Sequence, residues 1–321
     1  MKCPICKSSE KVNFLADYKF EVIEDKNFLK DLKILKCNNC NLGFASPMPK
    51  ESDLNNYYAN VYRSYDRPPY LLTGDLEDLK LECLADKNFN YLVYLTTLID
   101  FSKIKKIYDF GAGNGDLGYL LKKKFPHIEL FCSEGDNQCK EILKERGYKN
   151  YEDLNEIKEK FDLIITLHSL EHLTNCEIFS FFKSILNENG NIFFEVPNCS
   201  HEYFEKRVSD SPHLIFFTKE SFEKLNQIHG LKFLNFSTSS YSFDYDRKFS
   251  QDSMQQYENI NKSILPIVKI KRLIRKILPR KIIQLRRDMM SMKAKNSEDR
   301  IHWFINNTSD GCYIRGILNK K

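Results

Sequence analysis

No apolar run among the 321 residues approaches the ~20 needed to cross a bilayer. The opening MKCPICKSSE has no apolar stretch of the kind a secretory leader carries. The expectation is a cytoplasmic protein. A disulfide framework is missing as well. Of ten cysteines, four fall in two CxxC pairs, Cys3/Cys6 and Cys37/Cys40. The other six (Cys83, Cys132, Cys139, Cys176, Cys199, Cys312) stand singly, as small buried hydrophobes do in a reducing compartment. Glycine is scarce at 12 residues, yet Gly111, Gly113, Gly115 and Gly118 crowd into IYDFGAGNGDLGYLL (107–121). No GK[ST] follows them, which excludes a P-loop. A dinucleotide fingerprint read from Gly111 would need glycine at 116, where Asp116 stands.

What is present from Lys105 onward is an alternation of strand and helix. KKIYDF, IELFCSE, FDLIITLHS and NIFFEVPN read as strands. GDLGYLLKKKF, NQCKEILKERG and CEIFSFFKSILNENG read as helices, the last closed by Gly190. Strands alternating with helices of this length predict βαβ units and a doubly wound α/β sheet. Near-continuous apolar strands such as LIITL fit a sheet covered on both faces. The glycines then fall in the first strand-to-helix turn, where such folds bind nucleotide-like ligands.

The acids around that turn narrow the ligand. Asp109 ends the first strand, and an acid there suits an ammonium group better than a pyrophosphate. Glu134 ends the second strand, placed to accept ribose hydroxyls. A nucleoside with a cationic amino-acid tail satisfies both, and S-adenosylmethionine (SAM) is such a molecule.

The succession DFGAGNGDLG, CSEGD, FDLIITLHSLEHLTN and NENGNIFFEVPN is similar to the class I SAM-dependent methyltransferases. It is closest to the bacterial small-molecule subgroup with "lEHl" after the fourth strand and "VPN" after the fifth. SPHLIFFTKESFEKLNQIHGLKF (211–233) resembles that subgroup's segment before the sixth strand, and GCYIRGIL would be the last of seven strands. The resemblance implies that Gly111, Ala112, Gly113 and Gly115 line the methionine part of SAM, with Asp109 near its amino group. It implies Glu134 on the ribose, Asp153 rather than Glu152 on the adenine amine, and His168 by the methionine tail.

The two CxxC pairs are separated by 30 residues. Four thiolates in two tight knuckles make the closed tetrahedral site of structural Zn2+, with Cys3, Cys6, Cys37 and Cys40 as ligands. Two unrelated pairs, or a redox pair, are the alternatives, although neither CxxC follows a strand and opens a helix. Zinc knuckle, aromatic-proline segment and "YY" (Tyr57, Tyr58) ahead of a SAM domain resemble the sugar C-methyltransferases. That resemblance implies a sugar, or a nucleotide- or lipid-linked glycan precursor, as acceptor. The long histidine-rich segment and further C-terminal domain of those enzymes have no counterpart here.

Methyl transfer needs positioning first, and a hydroxyl or carbon acceptor also needs a base. The leading candidate is His213, before the sixth strand, where the resemblance implies substrate-facing residues; Glu171 and His172, after the fourth, are the others. The fourth strand ends in HSLE, not the Asn-Pro-Pro-Tyr of many nitrogen methyltransferases, which disfavours DNA bases as acceptors.

Net charge is +5, but Lys262–Arg287 holds ten Lys/Arg and no acid, so the rest sums to −5. Within it IVKIKRLIRKIL (267–278) sets apolar and basic residues on opposite helix faces, a pattern suited to an anionic membrane surface, a phosphate-rich substrate or RNA, or a helix docked on the protein. The resulting partition is a zinc module (1–49), a helical lid (50–104), a SAM-binding core (105–240), a basic insertion (241–298) and a final strand (299–321). A small-molecule methyltransferase is the leading reading. An RNA methyltransferase and a non-catalytic SAM-binding scaffold are the alternatives.

Overall fold

The computed structural model describes residues 2–19, 24–62, 87–200, 212–240, 305–306 and 311–321. The basic segment 262–287 and Cys83 lie outside them.

The chain begins with three antiparallel strands, β1 (Val12–Asp17), β2 (Lys33–Cys37) and β3 (Gly43–Ser46). Helix α1 (Glu51–Asn56) follows and runs into a single π-turn, Tyr57–Val61. Helix α2 (Lys87–Leu98) precedes the alternating region. There the order is β4 (Lys106–Phe110), α3 (Asp116–Lys124), β5 (Glu129–Ser133), α4 (Asn137–Glu145), β6 (Tyr148–Asn150) and β7 (Phe161–Leu167). Then come α5 (Ile178–Ile185), β8 (Leu186–Pro197), β9 (Ile215–Phe216), α6 (Lys219–His229), β10 (Leu231–Ser240), β11 (Ile305–Asn306) and β12 (Tyr313–Lys320).

The main sheet has the order β10-β12-β8-β7-β4-β5-β6, with the two-residue β11 added outside β10. β8, β7, β4, β5 and β6 are parallel neighbours, while β12 inserts antiparallel between β8 and β10. The predicted doubly wound sheet is present. Its order reverses between β4 and β7, which opens a crevice at their carboxyl ends.

Two expectations change. Gly190 does not close a helix: α5 stops at Ile185 and Leu186 already has extended angles. The residues between Leu186 and Asn191 bulge from the β7–β8 ladder. A Cβ on Gly190 would press on Leu186 and on the Phe161 carbonyl at 2.9 Å, so the bulge needs glycine there. Nor does the cysteine module stand apart. β9, from the later part of the chain, pairs with β3 and completes its sheet. Cys3, Cys37, Cys40 and Phe44 share one buried cluster with Phe179, Phe194 and Phe222 of the main sheet's flank. The module is fixed to the core by apolar burial, at roughly 25 cal/mol per Å2 of surface removed from water.

Candidate functional site

β4 ends in Asp109-Phe110, and the turn after it carries three left-handed residues, Gly111 (φ +67°), Gly113 (φ +57°) and Gly115 (φ +68°). At Gly111 any Cβ would also fall 2.3 Å from the Ser169 hydroxyl, which β7 brings alongside. Gly115 and Gly118 are bare for a different reason: a Cβ at either would strike the Tyr148 ring or hydroxyl. Tyr148 itself donates to the Gly115 carbonyl at 2.9 Å. The buried Arg146 completes the brace, donating to the Asn114 carbonyl at 2.6 Å and to Asp116 at 2.5 Å.

This turn forms one wall of a cavity of about 620 Å3, within the size range of small-molecule sites. Asp109, Gly111, Ala112, Gly113, Glu134 and His168 line it. Two residues predicted to do so do not. Gly115 is turned toward Tyr148 and Leu143. Asp153 accepts from Asn155 N and Nδ2 at 2.9 Å, which caps a turn, while its neighbours Tyr151, Glu152 and Leu154 face the cavity. Glu134 accepts from Gly113 N at 2.6 Å and from Asp136 N at 2.8 Å, so one carboxylate ties the glycine turn to the end of β5.

Six carboxylates line the cavity (Glu51, Asp109, Asp116, Glu134, Asp136, Glu152), and among the described lining residues there is no Lys or Arg. Asp109 registers that excess. Burial, with Glu134 and Asp116 adding repulsion, pushes its carboxyl up to about 8.

The opposite wall comes from the N-terminal segment and the turn after β7. Tyr58 and Tyr62 line it with His172 and Thr174. Tyr57 is instead buried, edge-on to Phe28, Tyr58 and Tyr62. The Tyr58 hydroxyl and His172 Nδ1 are 2.9 Å apart, and burial raises Tyr58 well above the usual tyrosine range, so it stays a neutral hydroxyl.

Behind His172 the three base candidates converge. The His172 and His213 rings are 5.0 Å apart, and Glu171 joins them. Glu171 and His213 are not part of the cavity lining; His172 is. Glu171 is 1% exposed, and neither carboxylate oxygen has a hydrogen-bond partner. Burial opposes its ionisation, but attraction to His168, His172 and His213 wins and holds it at about 2. His168 Nδ1 is 3.4 Å from Oε1, without hydrogen-bond alignment.

His168 (φ +52°) is held from its other side as well. Its Nε2 is 3.0 Å from Glu195 Oε1, and the Tyr91 hydroxyl donates to the same oxygen. Arg315 Nε donates to Glu195 Oε2 at 2.8 Å, with Nη2 at 2.7 Å. Tyr91 and Tyr94 sit over the Arg315 guanidinium at 4.7 and 5.0 Å. Glu195 and Arg315 are cross-strand partners on β8 and β12, both fully buried. Sequence reasoning missed this network. Its signal was an acid in the apolar NIFFEVPN and a base in the apolar GCYIRGIL.

The four paired cysteines also converge. Cys3–Cys40 Sγ atoms are 3.6 Å apart, Cys6–Cys37 are 3.5 Å apart, and all four lie within 4.8 Å of one another. Lys7 and Asn41, each directly after the second cysteine of a pair, are left-handed at φ +58° and +56°. The two knuckles thus repeat one geometry. Tetrahedral zinc with bonds of about 2.3 Å needs sulfurs about 3.8 Å apart, close to what stands here.

Residues 80–235 match a family model described as a methyltransferase domain. Ribosomal RNA small subunit methyltransferase G of Mycoplasma capricolum is 38% identical over 73 residues, 19% of this chain. This chain spans about a third (32%) of that relative's length. Among solved structures, mitomycin 7-O-methyltransferase is similar with TM-score 0.41, 10% identity and coverage of 76% of this chain and 57% of that one. Coclaurine N-methyltransferase, bound to N-methylheliamine and S-adenosylhomocysteine (SAH), gives TM-score 0.43, 14% identity and 72% of each chain. The O-methyltransferase of a Brevibacillus brevis trans-AT PKS multienzyme, with SAH, gives 0.41, 14%, 79% and 82%.

Proposed function

We propose that this chain, with its methyltransferase domain over 80–235, binds SAM in the acid-lined crevice and transfers its methyl group to a small hydroxylated acceptor of the sugar type. The observation that carries the reading is the charge of the cavity. A site lined by six carboxylates, without Lys or Arg among the described lining residues, favours a ligand carrying a sulfonium and an ammonium. It opposes a pyrophosphate or a nucleic-acid backbone. Asp109 takes the ammonium group, since a cation there offsets the cost of burying the charge. Glu134, from the end of β5, takes the ribose hydroxyls, and Glu152 is the acid near the adenine.

The acceptor lies against Tyr58, Tyr62, Asn55 and Thr174, a wall of aromatic rings and hydrogen-bonding groups suited to a sugar. Its oxygen loses a proton at the Glu171–His172–His213 cluster, of which His172 faces the cavity. The same oxygen then attacks the methyl carbon as the carbon–sulfur bond breaks, and SAH leaves neutral at sulfur. The four cysteines hold a structural zinc that fixes the tyrosine-bearing wall. RNA as acceptor has less support, because the short likeness to an RNA methyltransferase covers so little of either chain.

Labelled SAM incubated with the protein and separate small-molecule and RNA fractions tests this. Label should enter the small-molecule fraction, with nucleotide- and lipid-linked sugars tried first. Label found in RNA alone would overturn the acceptor assignment.

A further inference from the structure

We infer that Glu171, His172 and His213 bind a divalent cation beside the acceptor, a second metal site independent of the four cysteines. One ligand atom from each lies within 4.8 Å of the other two. An ion with bonds of about 2.1 Å keeps its ligand atoms about 3 to 4 Å apart, so small side-chain rotations close the set around it. The second observation is Glu171 itself: 1% exposed, with both oxygens unpartnered by any hydrogen bond. A carboxyl buried at that depth without a hydrogen bond lacks the partner that burial demands, and a cation between it and the two imidazoles supplies one. His168 stands 3.4 Å from one of these oxygens, out of hydrogen-bond alignment, and its other nitrogen faces Glu195.

Two imidazoles and one carboxylate select Mn2+, Fe2+, Co2+ or Zn2+ over Mg2+ and Ca2+, which prefer all-oxygen shells. Three protein ligands leave coordination positions open, unlike the closed four-sulfur site. His172 lines the cavity, so the site adjoins the acceptor wall. For the acceptor, the inference rests on the proposed methyl transfer. With a metal held there, an acceptor oxygen bound to it would be acidified as metal-bound water is, and the proton lost at this cluster would pass to solvent, the side chains serving as ligands. Metal binding itself is independent of that reading.

The test uses the full zinc-loaded chain and Mn2+ alone, whose six-line spectrum collapses on binding. Hard Mn2+ avoids thiolate sites, so the cysteines do not obscure the result. One Mn2+ per chain is expected, with affinity falling by roughly 100-fold in His172→Ala, His213→Ala and Glu171→Gln, judging by the sensitivity of metal sites to their ligands. Zinc content and melting temperature certify folding of each variant, and three variants protect against the loss of one. Failure of the wild type to bind millimolar Mn2+ or Co2+ overturns the site, as does equal binding by the folded variants. SAH titrated into the same samples separates the two readings. Intact SAH binding without Mn2+ sinks the metal site alone.

Discussion

Asp109→Asn isolates the electrostatic strain of the acid-lined crevice. The carboxyl stands near 8 in the folded protein, against about 3.9 in an unfolded chain. A raised acid holds its proton in the folded state. Its contribution to stability is therefore complete below about pH 4 and is lost as pH climbs to about 8. Between pH 5 and pH 8 that loss is on the order of 4 kcal/mol, at about 1.4 kcal/mol per pH unit. Asparagine has the same shape and no titration, so the variant escapes the loss. Urea melts of the ligand-free proteins across this range should show the stability difference moving by roughly that amount in the variant's favour. Titrations elsewhere cancel in the difference. Of the groups facing Asp109, Glu134 and Asp116 repel its charge and Tyr148 favours it, and losing the repulsion acts in the same direction. Ligand binding gives the complementary signal. A ligand ammonium needs the ionised carboxylate, so wild-type affinity for SAH should rise about 50-fold from pH 6 to pH 8 with proton release, and the variant should show neither. A stability difference flat to within ~1 kcal/mol over the range would refute the reasoning, since that is less than one pKa unit.

Gly111→Ala forces an L side chain into φ +67° and onto Ser169. A loss of about 1–3 kcal/mol in chemical denaturation is expected from such strain, with weaker SAH binding. Arg315→Leu removes the guanidinium from Glu195 at zero exposure, leaving it His168 and the Tyr91 hydroxyl, and should cost about 3–5 kcal/mol. The double variant with Glu195→Leu should recover most of that in the same melts. Metal analysis of the purified protein should find zinc bound at the cysteines. Cys37→Ser should lose it and melt earlier, because the knuckles share the core cluster with Phe179 and Phe222.

β4, β5, β7 and the second half of β8 were legible because each is an apolar run closed by a turn residue, whereas the three-residue β6, Tyr-Lys-Asn, carries no such run and was missed. The helix predicted to Gly190 failed because Asn187-Glu188-Asn189 looks polar enough for an exposed helix end. Only the ladder to β7 shows those residues to be a bulge. The glycines were partly misleading. Gly113, Gly115 and Gly118 do carry the GxGxxG spacing in their own frame, so spacing alone does not exclude a dinucleotide. The acid at 109 and the acidic cavity carry the argument for SAM. Gly115 and Gly118 turned out to make room for Tyr148, which is 33 and 30 positions on, and no local pattern announces that. Asp153 and Glu152 are adjacent acids whose side chains diverge, a matter of turn geometry that the string of letters does not hold. The sequence marked His213 as the leading base, but the tertiary fold puts His172 on the cavity and His213 behind it.

The most direct test of the account is calorimetric titration of the zinc-loaded protein with SAH, beside Glu134→Ala. Glu134 anchors both Gly113 and Asp136 and is assigned the ribose. Micromolar binding by the wild type, weakened at least tenfold in the variant, is the predicted result and corresponds to about 1.4 kcal/mol or more. Absence of binding by the folded wild type, or equal binding by the variant, would contradict the assignment of this crevice to SAM.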